Sequence, residues 1–148
     1  MSKSKRLAFT WDQEYKSPYV DLIKEALSGF GEKTEVSNTE LFMLFMTIGF
    51  DAGVRREVRT SKSDAARLEY ITESQKAMIK AVGLSQADSA ESLLAEDEIY
   101  NVSEEFAAGG LFILAKEYDT QPDFAKWLKL KLSKFTAGSS SANNSEKL

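Results

Sequence analysis

The chain contains no histidine and no cysteine. Histidine is the usual general base near neutral pH and the commonest metal ligand. Cysteine is the soft ligand and the most reactive nucleophile. Without both, the usual zinc sites, iron–sulfur clusters, Ser-His-Asp triads and Cys-His dyads are excluded. What remains is carboxylate, lysine or tyrosine chemistry, or none. The expectation is a binding or regulatory protein that is not an enzyme and carries no cofactor and no metal. Proline is scarce, at two residues, so helices are seldom interrupted by it. Long apolar runs are missing too. None approaches the roughly 20 residues that cross a bilayer, and MSKSKRLAF lacks the apolar core of a secretory signal. A cytoplasmic protein without a membrane partner is expected.

What is present fits one globular domain. The 148 residues are 43% hydrophobic and 28% charged, enough to bury a core without disulfides. The net charge of −4 argues against wholesale coating of nucleic acid but leaves room for a local basic face. Residues 1–6 read as a flexible basic arm, residues 7–135 as a single helical domain, and the small polar run TAGSSSANNSEKL at 136–148 as a disordered tail.

Helical periodicity dominates between them. Tyr19, Leu22, Ile23, Ala26, Leu27 and Phe30 share one helix face, with Pro18 in the first turn and Gly29 and Gly31 at the end. Ser37-Asn38-Thr39-Glu40 has capping-box spacing and opens the run Leu41 to Phe50, apolar nearly all round, which predicts a central buried helix ended by Gly53. Thr72-Glu73-Ser74-Gln75 is a second capping box, leading a helix that carries Ala77, Met78, Ala81 and Val82 and stops near Gly83. A short helix is expected over Ser89 to Ala95. A longer one starts near Glu96–Glu98 and carries Ile99, Val102, Phe106, Leu111 and Leu114. Ala107-Ala108-Gly109-Gly110 interrupts it, and two glycines inside a helix cost about 1 kcal/mol each. They imply a break, a kink or a close helix–helix contact. Thr120-Gln121-Pro122-Asp123 then caps a last helix with Phe124, Trp127, Leu128 and Leu132. Residues 54–71 break this pattern. They predict a long loop or two short strands, near Val54–Arg59 and Arg67–Ile71. The fold class is therefore mainly α, a compact single domain with a small two-stranded β element between the second and third main helices.

The strongest chemical signal lies in that segment. Gly53 to Arg67 holds Arg55, Arg56, Arg59, Lys62 and Arg67 against Glu57 and Asp64, a local excess of basic charge in an acidic chain. Arginine offers bidentate hydrogen bonds to phosphate, and Thr60, Ser61 and Ser63 add neutral donors. These five basic residues are the candidate nucleic-acid site. The competing reading is a solvated loop whose arginines pair with the acidic remainder. Glu96-Asp97-Glu98 and Glu104-Glu105 form the opposite pole. Paired carboxylates can serve as acid and base or hold magnesium, yet near helix starts they also complement the dipole. Trp11, Tyr15 and Tyr19 can stack on bases or close the end of a core.

Read together, the central apolar helix ending in Gly49-Phe50, the arginine-rich segment, the helix with Ala77 to Val82 and the phrase Ser103-Glu104-Glu105-Phe106-Ala107-Ala108-Gly109-Gly110-Leu111-Phe112-Ile113-Leu114 resemble the small proteins associated with the dnd system of DNA phosphorothioation. The phrase is similar to EEYANGGLEIL of that family, departing from it at Ala108 and in a polar insert from Leu84 to Ala95. The resemblance covers about Ser37 to Tyr118. It implies an accessory or regulatory role in bacterial or phage-linked DNA modification and anti-phage defence, and it carries over no catalytic residue. The expected partner is DNA or a defence-system protein, and a homo-oligomer stays open. The alternative is a protein-interaction or inhibitor protein, phage-encoded in one version, working through an acidic or apolar surface. A carboxylate-dependent nuclease is a third reading, but no D-x-D or E-x-K pattern stands on an evident strand.

Overall fold

The computed structural model describes residues 8–15, 19–28, 36–58, 62–86 and 96–133. The expected basic arm, the Ser89–Ala95 helix and the polar tail lie outside the described residues, as do Pro18, Gly29, Phe30 and Gly31. Within them the chain is mainly helical. It runs β1 (Ala8–Asp12), the short helical turn α1 (Gln13–Tyr15), α2 (Asp21–Ser28), α3 (Asn38–Ala52), β2 (Lys62–Arg67), a 3-10 turn (Leu68–Tyr70), α4 (Glu73–Leu84) and α5 (Glu96–Thr120). Residues 124–133 form a last helix, α6.

Both capping boxes are present. Ser37 Oγ accepts from the Glu40 amide and Thr72 Oγ1 from the Gln75 amide, with Glu40 and Gln75 reaching back to the cap amides. Each satisfies amide donors that a helix start leaves without partners. Gly53 closes α3 at φ 69° and ψ 29°, a left-handed conformation that favours glycine. Its N–H donates to Phe50 O and that of Val54 to Gly49 O, the paired bonds of a Schellman end. The last helix is capped by Asp123, whose Oδ1 accepts from the Lys126 amide at 3.2 Å, and Thr120 belongs to α5.

α3 and α5 form the centre, and their contact is made by glycine. A β-carbon on Gly49 would run into Phe106 O, and one on Gly110 would run into Phe45 O. The two backbones therefore touch where any other residue would hold them apart. Of the three outcomes implied by Gly109-Gly110, the close contact is the one found: α5 runs unbroken for 25 residues. The propensity lost at the glycines is offset by the packing they permit. α4 lies on the first half of α5, where Gly83 meets Ile99 and Ser103 Oγ donates to Ile79 O at 2.9 Å.

The β element corrects the expected placement. β2 does fall between α3 and α4, but its partner β1 precedes α2, and the strands are antiparallel. Val54–Val58 is extended without being a strand, and the segment after Arg67 is a 3-10 turn rather than a strand. The pairing is non-local, so the local pattern around 54–71 could not disclose it. The register slips between Phe9 and Thr10, which leaves Ala65 as the extra residue opposite β1. That bulge turns both Ala65 and Ala66 inward. Phe9 stacks on Phe42 at 4.5 Å and meets Tyr100 edge-on at 5.4 Å. Trp11 is 2% exposed and packs by Phe45, so it closes the core and does not offer a stacking surface to a base. The same continuous cluster takes in Ile23 of α2, Ile79 of α4, Leu114 of α5 and Leu128 of α6.

Candidate functional site

The basic segment begins where α3 ends. Gly53 turns the chain, and Val54 then lies against α5 at Gly109, where a β-carbon would strike Val54 O. Two residues on, the Arg56 amide donates to Glu105 O at 3.0 Å. These contacts seat residues 54–58 along α5 and aim two arginines at fixed points. Arg55 donates from Nη2 and Nε to Glu105 Oε1, at 2.7 and 3.2 Å, and its guanidinium lies 5.5 Å from the Phe106 ring centre. Arg56 lies 3.9 Å over the Phe112 ring and 5.8 Å from that of Tyr15. No carboxylate among the described residues pairs with it.

Of the other three candidates, only Arg67 has its side chain among the described residues. Arg67 sits at the end of β2 opposite Ala8, where its Nε donates to Glu69 at 2.7 Å. That pair is solvent-exposed on both sides. Lys62 belongs to β2 by its backbone, opposite Asp12, and its side chain lies outside the described residues. Arg59 lies outside them altogether. The structure thus brings Arg55 and Arg56 together on α5. Sequence reasoning missed the rings that hold them: Phe106 and Phe112 sit one and seven residues after Glu105, a helical spacing visible in the chain but without meaning until residues 54–58 are known to cross it.

The acidic pole divides in the same way. Glu104 is buried, and its Oε2 accepts from the Thr10 amide at 2.7 Å and from Thr10 Oγ1 at 3.1 Å. It ties β1 to α5. Glu105 holds Arg55. Glu96, Asp97 and Glu98 are exposed in the first turn of α5, and Tyr100 donates to Glu96 at 2.6 Å. Such a position complements the helix dipole. Among the described residues no group of three or more carboxylates is arranged to hold a metal ion. Nor is any helix there long and apolar enough to cross a membrane. Tyr15 and Tyr19 are half-buried beside α5, and Tyr19 donates to Asp119 at 2.7 Å. That hydrogen bond, above all, raises the Tyr19 phenol above its ordinary pKa, with desolvation and the Asp119 charge adding to it.

The phrase Glu104 to Leu114 therefore works as one device. Glu104 fastens β1, Glu105 fastens Arg55, Gly109 receives Val54 and Gly110 receives Phe45. A protein-family model covers residues 21–148 of the chain. The chain belongs to the family described as DNA sulphur modification system-associated protein 4. Its association with DNA modification, expected from the phrase, is thereby shown for nearly the whole described structure, from α2 onward. No match was found among curated proteins or among solved structures.

Proposed function

We propose that this member of the DNA sulphur modification-associated family is a non-catalytic accessory protein that binds DNA through its basic segment, Arg55, Arg56, Arg59, Lys62 and Arg67, in anti-phage defence. The observation that carries the reading is Arg56. Its guanidinium is stacked on Phe112 and has no carboxylate partner among the described residues. A stacked guanidinium keeps its edge N–H donors in a fixed plane, the presentation that suits phosphate. Arg55 beside it is ordered by Glu105, so less side-chain freedom is lost when an anion arrives. The non-catalytic part rests on Glu104 and Glu105, whose carboxylates are committed to Thr10 and Arg55.

Fluorescence anisotropy with duplex DNA, with and without phosphorothioate, at two salt concentrations tests this. Salt-sensitive binding is expected. Arg56→Glu should weaken it and reduce the salt slope by about one phosphate's worth, roughly 0.9. No binding at low salt would overturn DNA as the partner and leave a protein of the modification system, and an unchanged slope would remove Arg56 from the contact. The protein-interaction reading keeps one observation of its own, the exposed apolar side of α4.

A further inference from the structure

Among the described residues, the large hydrophobic side chains Tyr70, Met78 and Leu84 are exposed on α4 and the turn before it, and Leu130 on α6. Phe50, 40% exposed, instead stands near the end of α3, where the arginine segment leaves. It meets Phe106 edge to face, with ring centres 5.3 Å apart and planes at 86°. Such a pair covers at most one face of either ring, and the exposure of Phe50 leaves ring surface open to solvent. The Arg55 guanidinium lies 5.5 Å from the same Phe106 centre, so the open ring and the guanidinium are neighbours.

A third cation continues the row. Lys116 Nζ lies 4.6 Å from the centre of Phe112, the ring that Arg56 covers at 3.9 Å. Lys116 is exposed, and neither it nor Arg56 has a carboxylate partner among the described residues. Glu117, next to Lys116 in the chain, turns to Gln121, whose Nε2 donates to it at 2.8 Å. Glu105, Gly109, Phe112 and Lys116 recur at i, i+4, i+7 and i+11, which is one face of α5. Glu105 holds Arg55, Gly109 receives Val54, Phe112 holds Arg56, and Lys116 adds its own charge. Three cations thus follow about 16 Å of helix, with the Phe50 ring beside the first of them.

We propose that this row seats single-stranded DNA, with one base stacked on Phe50 and the backbone held by Arg55, Arg56 and Lys116. A line of cations that follows the phosphates, joined to a ring that takes a base, is how proteins hold an unpaired strand. A duplex suits the cations but not the ring, because bases inside it are already stacked on both faces and must be extruded to offer one. The proposal rests on the DNA reading above and narrows the partner from duplex to unpaired strand.

Fluorescence anisotropy on the full chain tests it with three probes of about twelve nucleotides, within the usual site size of such proteins. They are a thymidine strand, an abasic strand with the same phosphates, and a duplex. The thymidine strand should bind about tenfold tighter than the abasic one, the effect of one stacked base. Phe50→Leu keeps apolar packing on Phe106 but removes the ring. It should erase that advantage and leave duplex binding, the salt slope and the circular dichroism unchanged, and Phe50→Trp should restore the advantage. Lys116→Ala should do the reverse, lowering the salt slope on the thymidine strand by about 0.7 and sparing the advantage. Equal binding of the thymidine and abasic strands, or an advantage that survives Phe50→Leu, would overturn the base platform while the DNA reading stood. An unchanged slope in Lys116→Ala would overturn the path along α5. Binding to none of the three probes would overturn both readings and assign the exposed ring to a protein partner.

Discussion

α5 meets the chain in two ways within about two turns. At Gly110 it meets α3 through backbone alone, with no side chain between. At Glu105 and Phe112 it holds the two arginine side chains of the segment through one ion pair and one stacked ring. The first contact has no tolerance, because the atoms that a new β-carbon would strike are main-chain atoms of a buried helix. The second is half-exposed and adjustable, because it is made by side chains, two of them long arginines. The stability of this protein is concentrated in the seam, and its adaptability lies in the segment beside it. Gly109 sits between the two regimes, buried in α5 yet receiving Val54, the residue that begins the segment.

That contrast is broken most severely by Gly110→Ala. The added carbon forces α3 and α5 apart, and about 3 kcal/mol of stability should be lost in urea denaturation. Gly109→Ala sharpens it, since it should displace residues 54–58 and with them the arginines, while costing the core less. Next comes Glu104→Ala, which leaves the Thr10 amide without its acceptor. A loss of about 2 kcal/mol is expected by the same measurement. Arg56→Ala should cost only about 1 kcal/mol, the worth of a half-buried cation–π contact. If Arg56→Ala destabilised the protein as much as Gly110→Ala, the division between seam and segment would be wrong.

The smallest effect is one of pH. The Tyr19 phenol is raised above its usual value of 10.0 by its bond to Asp119. A raised pKa in the folded state means that the contribution is fully present below the unfolded value and is lost as pH rises through the folded one. Tyr19→Phe should therefore be slightly less stable than wild type at neutral pH. The difference should disappear in thermal melts taken well above pH 10.

Much of this was legible in the chain. Ser37 and Thr72 announced their helices because a capping box is a local device, satisfied within four residues. Leu41 to Phe50 announced a buried helix because it is apolar on every side. Gly53 marks the end of that helix in the sequence, and its φ of 69° shows why. What stayed hidden was long-range. Ala8–Asp12 gave no sign that it would pair with Lys62–Arg67, since each strand's partner is far away in sequence. The arginines were visible as a cluster, but Arg55 and Arg56 acquire their positions from Glu105 and Phe112, some fifty residues later. The phrase around Gly109-Gly110 was recognisable as a family mark before its work as a spacer between three backbones could be seen.

The pairing of β1 with β2 also sets an order of events during synthesis. Phe9 and Trp11 emerge early, yet the strand that covers them is made only after α2 and α3. Phe42 and Phe45 of α3 can receive the two rings before then, but closure of the sheet must wait on a distant segment, the slow kind of contact in folding. A strand made before α3 is therefore completed only by one made after it.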